Sequence, residues 1–149
     1  MRQECYDAEN WLNRNYNKAK QLEADKRMLE VMGDRLGAGV AKYESDGTES
    51  RDPDAARARH EDTLLEYSEQ RAKVEKDEKS LISETLKTRR AIGELSDGAL
   101  QAVAIDRYIN RLRWSDIAKL EHISIAQVYR MRRTMLEQMV EILKHFNFT

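Results

Sequence analysis

The chain has 149 residues, room for one compact domain with an extension or for two very small domains, and too few for a large multidomain enzyme. Charged residues make up 36% of it and aromatic residues only 7%, so apolar surface is scarce and long solvent-washed helices fit better than a thick globular core. The 26 basic and 27 acidic residues nearly cancel to a net charge of -1, so any nucleic-acid footprint has to be local.

Cys5 is the only cysteine, and His60, His122 and His145 stand far apart, so neither an internal disulfide nor a local metal motif is expected. No apolar run approaches the roughly 20 residues that span a bilayer. The opening MRQECYDAEN is acidic and polar, without the apolar centre of a secretion signal. These features lead us to expect a cytoplasmic protein that uses neither membrane nor cofactor.

From about Gln3 to Leu36, Leu12, Tyr16, Ala19, Leu22, Leu29, Met32 and Leu36 recur at three- and four-residue steps, which predicts a first amphipathic helix. The stretch from Gly37 to Ala55 mixes Gly, Ser, Asp and Pro without periodicity and reads as a flexible connection. A second long helix is predicted from Ala56 to about Ile92, with Leu64, Leu65, Tyr67, Val74, Leu81, Ile82, Leu86 and Ile92 as its sparse apolar positions. Neither helix has enough apolar surface to stand alone. An antiparallel coiled-coil-like hairpin satisfies both stripes, and pairing with a second chain satisfies them equally well. Lys26, Arg71 and Glu78 fall where a regular heptad would place apolar residues, so the coiled coil is expected to be short or irregular.

After Gly93 the composition shifts, and residues 94–149 are predicted to form a second domain of three shorter helices behind the hairpin of residues 1–93. The first runs from Asp97 to about Asn110, with Ser96 as its N-cap and Leu100, Val103, Ala104, Ile105 and Tyr108 facing inward. The second, from about Trp114 to Glu121, presents Ile117, Ala118 and Leu120. The third starts at Ser124, where Ser124 and Gln127 have capping-box spacing, and buries Val128, Met131, Met135 and Met139. A small residue, Ala118, followed ten positions later by an aliphatic one, Val128, is the spacing of a helix-turn-helix. The expected fold is therefore all-α, a long helical hairpin followed by a three-helix helix-turn-helix module.

Around this motif, Arg107, Arg111, Arg113, Lys119, Arg130, Arg132 and Arg133 meet only Asp116 and Glu121, a local excess of positive charge suited to phosphate. Gln127 and Arg130, near the start of the third helix, are the candidates for base edges, with Arg133 one turn on. Arg113, Lys119 and Arg132 are candidates for phosphate contacts, and Ser124, Trp114 and Tyr129 for contacts at the helix starts and flank. Trp114 fits a core position equally well. The expected partner is double-stranded DNA, and a homodimer through the N-terminal helices, with Met28, Leu29 and Met32 at the interface, would set two third helices about one turn of DNA apart.

The run DRYINRLRWSDIAKLEHISIAQVYRMRRTMLEQM, from Asp106 to Met139, resembles region four of primary-type sigma factors, matching at Arg107, Tyr108, Trp114, Ile117, Ala118, Ser124, Val128 and Arg130. It departs at His122, where that family has a turn glycine, and at Glu121, where it has a leucine. A non-glycine residue in a left-handed turn costs about 1 kcal/mol. Together with the charged helical N-terminal half, the chain is similar in architecture to small RinA-like and ArpU-like phage regulators. That resemblance implies a phage-encoded activator of late or packaging genes, working in a bacterial cytoplasm and touching RNA polymerase as well as promoter DNA.

Two other functions compete with this one. A small terminase-like packaging subunit also joins a helix-turn-helix to long helices, though usually with the DNA-binding module first. A coiled-coil interaction adaptor would bind no DNA at all. An enzyme is not expected, because no nucleophile, base and orienting group cluster and no Gly-rich phosphate loop is present.

Overall fold

A computed structural model describes the backbone of residues 1–45 and 53–145 and the side chains of residues 1–37 and 54–145. All regular structure among the described residues is helical: α1 (Gln3–Leu12), α2 (Arg14–Ser45), α3 (Pro53–Gly93), α4 (Gly98–Ala104), α5 (Trp114–Leu120) and α6 (Ile125–His145), with a π turn over Ile105–Ile109. The chain forms two compact units. One is Ala19–Ser80, and the other joins Met1–Lys18 to the chain from Leu81 onward.

In the Ala19–Ser80 unit, α2 and α3 run antiparallel. Lys26 Nζ meets Glu78 Oε1 at 2.6 Å, Gln70 donates to the Asp25 carbonyl at 3.3 Å, and Tyr67 lies against Gly33. Two of the three heptad exceptions, Lys26 and Glu78, thus answer each other with an ion pair, while Arg71 pairs with Glu75 along its own helix. The dry part of this unit is small, made of Ala19, Leu22 and Val74, while Met28, Val31, Leu64 and Leu65 are exposed. Leu29 and Met32 are half-buried.

Several predicted boundaries shift. The first helix breaks at Asn13, whose N–H still bonds the Glu9 carbonyl while its own carbonyl accepts from Tyr16 N, so α1 and α2 are separate. Arg14 holds the break: one terminal nitrogen donates to the Trp11 carbonyl at 2.9 Å and to Thr88 Oγ1 at 3.0 Å, and Nε pairs with Glu84 at 3.2 Å. Helix α2 continues to Ser45, into the stretch expected to be a loop. Gly37 and Gly39 cost about 1 kcal/mol each relative to alanine, too little to stop a helix whose following residues Val40, Ala41, Lys42, Tyr43 and Glu44 are ordinary helix residues. Helix α3 begins at Pro53, because a proline's fixed φ and missing N–H suit a first helical position. The rest of the expected connection, 46–52, lies outside the described residues.

The other unit has the larger core. Cys5, Ala8 and Leu12 of α1, spaced for one helical face, pack with Ala91 and Ile92 at the end of α3, Leu95, Leu100 and Ala104, Tyr108, and Met135, Leu136, Met139 and Val140 of α6. Helix α1, read from sequence as part of the N-terminal hairpin, is therefore built into the same core as α6.

Asp97, not Ser96, caps α4, its carboxylate accepting from Ala99 N at 2.9 Å. Ser96 is occupied otherwise, with its N–H and hydroxyl both bonding Gln138 Oε1 of α6. The predicted helix from Asp97 to Asn110 is α4 followed directly by the π turn, closed by Asn110 N on the Ile105 carbonyl at 2.9 Å. A π turn carries more residues per turn than an α turn and so shifts side-chain register, here at Arg107 and Tyr108.

Because α1 closes the core over α6, Leu12→Ala, at a side chain only 1% exposed, should destabilise this unit by about 2–5 kcal/mol. Urea unfolding followed by circular dichroism checks this. An unchanged midpoint would mean that α1 does not belong to the core.

Candidate nucleic-acid interface

Helix α5 ends as a helix ends in a left-handed cap. His122 has φ 56°, its N–H reaches the Lys119 carbonyl at 3.3 Å, and Ile123 N reaches the Ala118 carbonyl at 3.0 Å. A histidine fills this left-handed position, where the resemblance of motifs implies a glycine. Two residues later Ser124 Oγ accepts from Gln127 N at 3.1 Å, which starts α6. Ala118 and Val128 are both buried where α5 and α6 pack together, 7% and 0% exposed. Leu120, predicted to face inward, is instead 57% exposed, because the chain turns away immediately after it.

The polar face of α6 carries Ala126, Gln127, Arg130, Arg133 and Thr134, all exposed. Arg133 Nε lies 3.7 Å from Glu137, a surface pair one turn along the helix. Gln127 and Arg130 also line an open groove of about 540 Å³ between α4 and α6 that contains Asp97 and Glu121. Arg113 and Lys119 are exposed on α5 and its start, and Arg113 Nε bonds Asp116 Oδ2 at 3.0 Å. That hydrogen bond holds the Asp116 carboxyl below the usual carboxylate range.

Two of the seven basic residues counted in the sequence point inward. Arg132, expected to grip a phosphate, is half-buried and binds Glu9 of α1 through two bonds, Nη2 to Oε1 at 2.6 Å and Nε to Oε2 at 2.8 Å. Tyr108 donates its hydroxyl to the same Oε2 at 2.7 Å. Arg107 donates to the Leu112 carbonyl at 3.0 Å and lies over the Trp114 ring at 4.9 Å, with Arg132 over it at 5.8 Å. Trp114 is half-buried, edge-on to Tyr108, and Tyr129 leans on its other side at 6.4 Å while staying exposed. Trp114 is therefore a supporting residue within reach of the surface. The five basic residues that remain exposed are Arg111, Arg113, Lys119, Arg130 and Arg133, of which Lys119, Arg130 and Arg133 lie on α5 and α6.

Burial pushes the Glu9 carboxyl up, but hydrogen bonds from Arg132 and Tyr108, with the charges of Arg132 and Arg107, outweigh it and hold the group below the usual range. Burial first, then the Glu9 charge and its hydrogen bond, push the Tyr108 phenol well above its ordinary value. The Glu9 hydrogen bond likewise raises Arg132 against the opposing effect of burial. Tyr108, expected to face inward, is buried, whereas Glu9 has no expected role in the sequence, yet spacing carries a signal. Arg132 continues the apolar step Val128, Met135, Met139, and Glu9 falls in the step Cys5, Leu12, so each sits beside its helix's buried stripe.

In comparisons with known proteins, no family model matches the chain, and no curated protein or solved structure matches it.

The depressed Glu9 value fixes a pH dependence. Stability from this carboxylate is present above the unfolded-state value of about 4.3 and is lost as pH falls through the folded-state value. Glu9→Gln should lower stability at pH 7 by about 1–2 kcal/mol, discounted for partial exposure, and should show a shallower loss than wild type on acidification. Urea titrations between about pH 3 and 7 make the comparison, and parallel curves would show that Glu9 is not held as described.

Proposed function

We propose that α5, its left-handed turn and α6 form a helix-turn-helix that binds double-stranded DNA, and that the protein regulates transcription. The observation that carries this reading is the joint arrangement at the α5–α6 crossing. Ala118 and Val128 are buried in two helices that pack together, while Gln127, Arg130 and Arg133 stay on the outer face of α6. An α-helix fits the major groove of B-DNA, and glutamine and arginine are the side chains that make paired hydrogen bonds to adenine and guanine edges. Gln127 and Arg130 take the base-reading role and Arg133 extends it by one turn. Lys119 and Arg113 take phosphates, and Ser124 serves as the cap that orients α6. Arg132 works from inside, fixing the helix rather than touching DNA.

The resemblance to sigma region four and to RinA-like and ArpU-like regulators supports the more specific form of the proposal, a phage-type activator of late or packaging genes with RNA polymerase as a second partner. One short module makes a modest interface with DNA. A homodimer through α2 and α3 is part of the proposal for that reason, supported by the exposed Met28, Val31, Leu64 and Leu65 in the Ala19–Ser80 unit.

Duplex binding by the full chain across a salt series is the test. Affinity should fall with salt, and Arg130→Ala, Arg133→Ala together should weaken it about 10- to 100-fold and flatten the log–log slope by about 1 to 2. A folded wild type that binds no duplex at low salt removes the proposal.

A further inference from the structure

Apart from the α6 face, the unit built from Met1–Lys18 and the chain from Leu81 onward contains a second concavity, of about 390 Å³, lined by Asn13, Tyr16, Asn17, Arg107, Arg111 and Arg113. Two local features build its walls. The break at Asn13 starts a new helix, so Asn13 at the break and Tyr16 and Asn17 in the first turn of α2 form one side. On the other side, the π turn ends at Asn110, Arg111 takes φ 61°, and Leu112 N returns to the Asp106 carbonyl at 2.9 Å, which draws three arginines from a seven-residue stretch to one rim. Among the described residues the lining has three guanidinium groups and no carboxylate. Asp116 holds Arg113 through Nε from outside the lining, and Arg107 uses one terminal nitrogen on the Leu112 carbonyl.

We infer that this concavity is an anion site that takes a phosphate group. Three guanidinium groups line one hollow, and guanidinium forks beside amide and phenol groups match the several oxygens of a phosphate. The volume is more than ten times the roughly 30 Å³ share of one water, enough for a phosphate with part of an attached sugar. Arg113 belongs both to this site and to the flank of the α5–α6 face, so a backbone phosphate of a bound duplex is the source the placement favours; that assignment rests on the DNA-reading proposal. A free phosphate shares the same chemistry.

Two exposed positions test the site without touching α6. Asn17→Asp puts a negative charge into the hollow at constant shape, and Arg111→Asn removes a positive one with a residue that tolerates a left-handed backbone. In the first arm, inorganic phosphate at constant ionic strength should raise the wild-type unfolding midpoint by about 3 °C at several times its Kd, and both variants should lose that rise. In the second, duplex affinity should fall roughly three- to tenfold in both variants for all sequences alike, with a slope shallower by about 0.9. Effects in both arms identify a DNA phosphate, and an effect in the first arm alone identifies a free phosphate site. Phosphate stabilisation in a protein that binds no duplex keeps the site and removes the DNA reader. Duplex binding that weakens on Arg130→Ala, Arg133→Ala but is unchanged in both arms by Asn17→Asp and Arg111→Asn overturns the site and keeps the reader.

Discussion

The carboxylate of Glu9 is the hinge of the arrangement. It receives two hydrogen bonds from Arg132 and one from Tyr108, so α1, the π turn after α4, and α6 meet at a single charged group. A partly buried ion pair contributes little net stability relative to an apolar replacement, because desolvation offsets much of the attraction. Its effect is on geometry. With Arg132 fixed, α6 cannot rotate about its axis without breaking two short charge-assisted bonds, and the outward direction of Arg130 and Arg133 follows. Trp114, edge-on to Tyr108 and beneath the guanidinium groups of Arg107 and Arg132, carries the same constraint to the start of α5.

The electrostatics are correspondingly economical. A chain of net charge -1 cannot attract DNA as a whole, and its local basic excess shrinks once Arg107 and Arg132 turn inward and Arg113 and Arg133 face Asp116 and Glu137. Surface pairs of this kind are weak, and a phosphate competes with them readily. Such a surface gains specificity from a few directed side chains rather than affinity from bulk charge, which is why a second phosphate-sized hollow beside Arg113 and a second chain both matter to the proposal.

Local chemistry was legible in the sequence and distant chemistry was not. The start of α5 at Trp114, the Ser124 cap and the inward Ala118 and Val128 depend on neighbours within one or two turns, and pattern alone places them. The all-helical class followed from periodicity in the same way. The π turn was not legible, because Ile105 to Ile109 have an ordinary helical pattern and only the packed environment selects the wider turn. Nor was the Glu9–Arg132 pair, whose members lie 123 residues apart. A basic residue beside an apolar stripe reads equally well as a surface charge or as half of an internal pair until its partner is known. The same difficulty put Arg132 in the expected phosphate set and left α1 with the hairpin instead of the α6 core.

The outer face of α6 is the surface proposed to meet DNA. Amide chemical-shift changes in the ¹⁵N-labelled full chain on titration with a short duplex test it most directly. The largest changes are expected at Gln127, Arg130, Arg133 and Thr134 and around Arg113 and Lys119, with Cys5 to Leu12 little affected. Changes confined to Ala19–Ser80, or none at duplex excess, would contradict it.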